Sequence, residues 1–293
     1  MVILMDKIEI KINEKYVGKT IKEFLKSNNV GRGKIENLRV NKSTLINGQY
    51  CNLESKLNKD DVLSILIDET IDFVCDDNFL DVAYEDEYIL IVNKPLNMII
   101  HPDDKSKNNT LVNLVANYFK KNNINRKVRF INRIDKETTG LVLFAKDFFT
   151  ESILLKSMLN HEIKREYLAF VEGKMKSLKG TINAPIGNDR HINNKKRVCS
   201  NGDVAITDYQ VIQEYKNYSL VKFSLQTGRT HQIRVHASYL SHPLLGDVLY
   251  GGDYRFINRV ALHSFKISFI HPITNKTIDV ISDLPEDLKK LKK

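Results

Sequence analysis

The sequence predicts an α+β protein in two parts: a small α+β module at residues 1–69 and a larger, largely antiparallel mixed-sheet domain at 81–293, joined by a linker at 70–80. Three observations predict it. Short runs such as KIEIKI (from Lys7) alternate with the period of a strand, whereas KTIKEFLKSN (from Lys19) has helical apolar spacing. The segment TIDFVCDDNFL, from Thr70 to Leu80, is acidic and without period, and it separates the two parts. Beyond it, strand-like runs mix with occasional helices without a regular strand–helix alternation, which favours antiparallel pairing over a parallel sheet.

In the small module, a strand at KIEIKI is followed by a helix over KTIKEFLKSN and a second helix after Arg32. Two short strands follow, with Asn47-Gly48 as a strong turn signal and Lys59-Asp60-Asp61 as a second reversal. This order resembles the RNA-binding domain first described in ribosomal protein four of the small subunit. The resemblance implies a helix pair against RNA, with Arg32, Lys34 and Arg39 contacting phosphates; the alternative is solvated charge on an exposed helix face. In the larger part the runs are YILIVNKP, TLVNLVANYFKKN, LVLFAKD, ILLKSMLNHE, REYLAFVEG, AITDYQVI, YSLVKFSL and HQIRVHASYL. Read as a strand, HQIRVHA places Gln232, Arg234 and His236 on one face and Ile233 and Val235 on the other.

Composition narrows the class. With 42% hydrophobic and 28% charged residues the chain is ordinary globular protein. No apolar run reaches the roughly 18–20 residues of a spanning helix: the longest, Tyr88 to Ile100, is broken by Lys94 and Pro95 and reads as buried strand. The N-terminus has none of the regions of a signal peptide, and Met5 is an alternative start, so a cytoplasmic, monomeric protein is expected. Cys51, Cys75 and Cys199 are odd in number and form no CxxC pair, against a disulfide framework or zinc site and for a reducing compartment. The formal net charge of +9 favours a polyanionic partner. Dense basic runs at Arg126–Arg129 and at Lys195, Lys196 and Arg197 are read either as phosphate contacts or as solvated surface.

Two segments carry chemistry. In FINRIDKETTGLVLFAKD a polar loop with Arg133 and Asp135 interrupts two strand-like runs, the usual setting of a functional loop; on local grounds Asp135 equally suits a cap of the following turn. The second, LQTGRTHQIRVHASYLSHPLLGDVLYGG, combines arginines, histidines and glycines. His231, His236 and His242, with His101 and His263, lack a metalloenzyme spacing, so no metal is expected. Gly246-Asp247 and Tyr250-Gly251-Gly252 read as turns.

Together with VAYEDEYILIVNKPLNMIIHP, KREYLAFVEG and PIGND with its basic loop, these segments resemble the RluA-type RNA pseudouridine synthases, in the expected order from about Asp81 to the C-terminus. The resemblance implies that Asp135 is the catalytic aspartate and that Arg133 helps hold a flipped-out nucleotide. Tyr167 would stack on its base, and Arg234 would form a buried ion pair with Asp135. Asn132, Arg229, His231 and Gln232 are the further expected substrate contacts. The chain departs from the family's usual His-Arg-Leu-Asp by having Asn132-Arg133-Ile134-Asp135, and has Thr139 where serine is usual; Asn132 cannot carry a proton charge. The implied reaction breaks the bond from uracil N1 to ribose and joins C5 to the same carbon, without a cofactor. Ribosomal RNA is favoured over transfer RNA. The alternatives are a non-catalytic RNA-binding or ribosome-assembly factor, and a glycosidic hydrolase, which needs a second carboxylate such as Glu137.

Overall fold

The computed structural model describes residues 6–102 and 108–293; the alternative start at Met5 lies outside them. The N-terminal part comprises β1 (Asp6–Lys11), α1 (Ile21–Ser27), α2 (Arg32–Val40), β2 (Thr44–Ile46), β3 (Gln49–Tyr50) and β4 (Val62–Ile67). Its strands form an antiparallel sheet in the order β1-β4-β2-β3. Thr20 and Glu23 close a capping box on α1, each side chain accepting the other's backbone N–H at 3.2 and 2.8 Å. Asn47 and Gly48 both have positive φ, 50° and 79°, as a tight hairpin turn requires.

The larger part contains β5 (Val82–Glu85), β6 (Ile89–Lys94), α3 (Leu111–Lys121), β7 (Arg129–Phe130), β8 (Thr139–Ala145) and α4 (Phe148–Leu159). Then come β9 (Lys164–Glu172), β10 (Lys179–Asn183), β11 (Ile186–Asn188), β12 (Lys196–Val198), β13 (Ile206–Glu214) and β14 (Tyr218–Leu225). The chain ends with α5 (Gln232–Tyr239), β15 (Leu262–Ile270), β16 (Thr277–Ile281) and α6 (Glu286–Lys289). One sheet runs β10-β13-β14-β9-β15-β8-β6-β5, with β16 beside β15 and β7 beside β8, and β11 and β12 form a separate hairpin. Among the described residues only β8 and β15 pair in parallel; the fold is the mixed, mostly antiparallel α+β architecture expected.

Alternation along β6 shows how the sheet is buried on both faces. Leu90 and Val92 pack with α3, while Ile89 and Ile91 pack with Leu154 of α4. β8, at the centre, is buried throughout. At its start Gly140 has φ +108°, and a Cβ there would stand 2.3 Å from the Ser264 carbonyl oxygen, so only glycine lets β8 meet β15.

The two parts share a core. Phe148 and Phe149 of α4 join the cluster of Ile21, Phe24, Leu25 and Leu57, and Phe149 stacks on Phe24 at a centroid distance of 5.5 Å. The segment 70–80 has no regular strand or helix, yet Ile71, Phe73, Cys75 and Leu80 pack against the α3 core. Ion pairs reinforce the junction and change the reading of several cations. Arg126 pairs with Asp6 at 2.5 Å, and buried Arg129 is held by Glu69 (2.7 Å) and Glu151 (2.9 Å). Arg126 and Arg129 thus tie the two parts together, while Lys127 between them is exposed. Lys34 is engaged too, 3.1 Å from Glu69 and 4.1 Å from the centre of the Phe148 ring, and Arg39 is paired with Glu36. Arg32 alone of the three expected helix contacts is exposed and makes no ion pair among the described residues.

Phe149→Ala removes a ring by which α4 enters the core of the small module, and should destabilise the protein by about 3–5 kcal/mol. Urea unfolding measures the loss, and limited proteolysis should show the first 69 residues released first.

Candidate active site

The loop carrying Asp135 lies between two strands that pair with β6 or β8, and it is held at both ends. Before it, Asn132 is buried, and its Oδ1 accepts the backbone N–H of Leu143 at 2.8 Å. After it, the Thr138 N–H closes a turn on the Asp135 carbonyl at 3.1 Å. Lys94, at the end of β6 and fully buried, donates to the carbonyls of Pro95 and Met98 (2.9 Å each) and of Lys136 (3.2 Å). Burial pushes its pKa down to about 7, against the attraction of Asp135 and Glu137. Three carbonyl acceptors match the three N–H donors of an ammonium, and a neutral amine would leave one unmet, so the geometry favours the charged form.

The segment HQIRVHASY is not a strand but the helix α5. Its first turn explains why. His231 takes a left-handed conformation at φ +59°, and the Gln232 side chain accepts from Arg229 N–H (2.9 Å) and Thr227 Oγ1 (2.8 Å) while donating to Ile206 carbonyl and Thr207 Oγ1. At helical spacing, His236 then reaches the same Thr207 hydroxyl at 2.8 Å. A strand would separate these groups. Gln232 is buried with both ends of its amide engaged, so it is a structural staple and not the free substrate contact expected. Asn132 is likewise turned inward; its Nδ2 is buried without a partner.

Arg234, one turn into α5, is buried against β8's loop. Its strongest partner is not Asp135 but Asp247, which accepts from Nε at 2.8 Å and Nη2 at 2.9 Å. Nη1 is shared by Asp135 at 3.5 Å and Glu137 at 3.6 Å. The expected buried Asp135–Arg234 pair is present, and a bidentate Arg234–Asp247 pair, which the sequence reading did not include, braces the guanidinium from the other side. Burial opposes the charge of Arg234, but hydrogen bonding to Asp247 and the acidic neighbours outweigh it and raise its pKa. Asp247 sits in what read as a simple turn. Its only sequence signal was an acidic residue in a glycine-flanked segment, because its partner lies 13 residues away.

Tyr250, from the same turn, packs under Arg234 at 5.1 Å from ring centre to guanidinium carbon. Its oxygen accepts the Lys196 backbone N–H at 3.0 Å and shares a hydrogen bond with His231 Nδ1 at 2.8 Å. The other ring nitrogen, Nε2, faces Asp135 Oδ2 at 4.0 Å. Burial lowers the His231 pKa, with Asp135 opposing and Arg234 assisting, so the ring is neutral at neutral pH. Tyr167, on β9, is buried with Ile134 packed against its cluster, and burial raises the pKa of its phenol. Arg133 is exposed at the lip of the loop. A polar pocket of about 580 Å³ adjoins α5 between the β11–β12 hairpin and the 228–230 turn, lined by Arg190, Lys196, Arg197, Gly228 and Arg229. Arg229 donates to the Val204 carbonyl, Lys196 to Asn188, and Lys195 lies 5.6 Å from the Tyr250 ring centre.

A carboxylate beside a buried guanidinium and a cationic pocket, on a mixed sheet with an added small domain, suits chemistry on a polyanion. Comparison with known proteins supplies the family. The description "RNA pseudouridylate synthase" matches residues 88–239, and "RluD ribosomal pseudouridine synthase N-terminal domain" matches residues 8–63. An uncharacterised RNA pseudouridine synthase of Bacillus subtilis, YhcT, is 36% identical over 97% of this chain and 96% of its own. Ribosomal large subunit pseudouridine synthase D of Salmonella typhimurium is 32% identical over 89% of this chain and 85% of its own. The solved structure of human RNA pseudouridylate synthase domain containing 1 superposes with a TM-score of 0.59 at 25% identity, covering 71% of this chain and 84% of that one. The chain belongs to the RluA-type RNA pseudouridine synthases, enzymes that isomerise uridine in RNA.

Two expectations follow from this geometry. Asp247→Ala leaves the Arg234 charge buried beside weaker partners, and should cost about 3–5 kcal/mol in urea unfolding. His263, buried between Thr139 Oγ1 (2.8 Å) and the Ser282 carbonyl (3.2 Å), has its pKa lowered from 6.5 to about 4 by burial. Its neutral form is bound by the fold, so the stability it contributes is complete above about pH 6.5 and is lost as pH falls toward 4. The loss should reach about 3 kcal/mol, and His263→Gln should flatten that limb of the stability profile.

Proposed function

We propose that this protein isomerises uridine to pseudouridine in large-subunit ribosomal RNA, with Asp135 acting at the ribose of the flipped-out nucleotide. The observation that carries the reading is the Asp135 carboxylate, 3.5 Å from an Arg234 that Asp247 holds in place. Attack on the sugar carbon and removal of a ribose proton both need a carboxylate fixed in direction, which a guanidinium already braced by a second acid supplies. The matched N-terminal description and the named relatives support ribosomal RNA as the substrate, and hence a cytoplasmic enzyme.

Arg133, exposed at the loop's lip, takes the place vacated by the flipped nucleotide, and Tyr167 receives the base. Since Tyr167 is only 4% exposed, access to its ring entails movement of the side chains packed around it. Residues 1–69 act as an RNA-binding module, with exposed Arg32 as the phosphate contact of its helix pair. Lys195, Arg197 and Arg229 line the path of the strand on the other side.

RNA labelled with tritium at uridine C5 should release tritium with the wild-type protein and not with Asp135→Asn, while RNA binding by the variant stays within a few fold. Carbodiimide mapping of ribosomal RNA with and without the gene should show a site that only active protein restores. Full release by Asp135→Asn would overturn the assignment.

A further inference from the structure

We propose that Arg165 is a buried binding site for an RNA backbone phosphate adjacent to the target uridine, an inference that rests on the pseudouridine synthase reading. Arg165 and Tyr167 are two apart on β9 and therefore share a face of the strand. Arg165 is 9% exposed, and its Nε is buried without a hydrogen-bond partner. Among the described residues it makes no ion pair. Other buried arginines are compensated: Arg126 by Asp6, Arg129 by Glu69, Arg234 by Asp247 and Arg259 by Asp287. An uncompensated buried cation weakens the free protein, so its stabilising partner is to be sought in a ligand.

The turn that covers this guanidinium lines a polar pocket through Gly228, Arg229 and Thr230. A Cβ at Gly228 would stand 2.8 Å from Arg165 Nη1, so the absence of a side chain there lets the guanidinium lie directly under the 228–230 turn. Gly228 also lines the polar pocket, whose rim carries exposed Arg190, Arg197 and Arg229 and a single carboxylate, Asp203. Arg190 and Arg197 make no ion pair among the described residues. A uracil carbonyl would give Arg165 a hydrogen bond but no countercharge. A phosphodiester gives both, in the forked geometry a guanidinium prefers. Because the 228–230 turn leads straight into His231 and Arg234 beside Asp135, the phosphate held there flanks the nucleotide that is isomerised.

The test compares uridine 3′,5′-bisphosphate with uridine, by thermal shift and direct titration of the full chain, in wild type, Arg165→Gln and Arg165→Lys. The wild type should bind the bisphosphate more tightly than uridine. Arg165→Gln should weaken the bisphosphate at least about tenfold, with Arg165→Lys in between, leave uridine unchanged, and unfold at an equal or higher temperature without ligand. Bisphosphate affinity in Arg165→Gln within about twofold of wild type would overturn the proposal. So would a wild type without preference for the bisphosphate, or a failure of Arg165→Gln to fold, since that would make the cation structural. Pseudouridine formation in ribosomal RNA, measured on the same preparations, separates the two readings: its absence in wild type removes the isomerase assignment without touching the anion result.

Discussion

Burying the Arg234 guanidinium is the constraint around which the active site is arranged. A cation removed from water must be met by acceptors on nearly every nitrogen, and here the acceptors come from three places. Asp247 takes Nε and Nη2, Asp135 and Glu137 share Nη1, and the Tyr250 ring covers the face. The turn that carries Asp247 depends on Gly246, whose φ of +71° and close approach to the Arg259 carbonyl exclude a side chain. Tyr250 then hands the arrangement on, since one oxygen joins the hairpin backbone at Lys196 to His231 beside Asp135. The cationic hairpin and the carboxylate are thereby parts of one hydrogen-bonded unit.

The sheet supplies the rigidity this needs. Asp135 sits on a loop only four residues before the most buried strand of the molecule, between Asn132, bonded to Leu143, and Lys94, bonded to Lys136. Loops tied at both ends to a packed strand hold a side chain in direction at little entropic cost on binding. The same principle explains Asn132. Where the family usually has histidine, this chain has an amide that accepts a backbone N–H from within, so the residue acts on the shape of the loop. Thr139 keeps the hydroxyl that its serine counterpart would have, and engages it with His263.

Much of this was legible in the residues. Period-two and helical spacing located β1, α1, β6, α3, β8, α4, β9, β13 and β14 but not β15 or β16, and the Asn47-Gly48 turn formed as written, because local dihedral preference and one-sided burial determine such elements. HQIRVHASY misled because alternating polar and apolar residues also fit a short helix buried on several sides; the decisive contacts, from Gln232 and His236 to Thr207, join residues about 25–29 apart in sequence. Basic residues misled in a different way. Arg126, Arg129 and Lys34 looked like surface cations, and each is paired with an acid at the junction of the two parts.

By itself the sequence determined the α+β class, the division into a small and a large part, and the family, because those rest on local periodicity and on ordered motifs such as NRIDKETTG and GRTHQIR. It also marked Asp135, Arg133, Tyr167 and Arg234 as one group. Only the tertiary structure decided how charge is distributed among them. Whether a carboxylate or a guanidinium is paired depends on what the fold brings within about 4 Å and how much water it excludes, and neither distance nor burial is written in a linear pattern. Asp247 thus emerged as the main partner of Arg234, and Arg165 as a buried cation still without one.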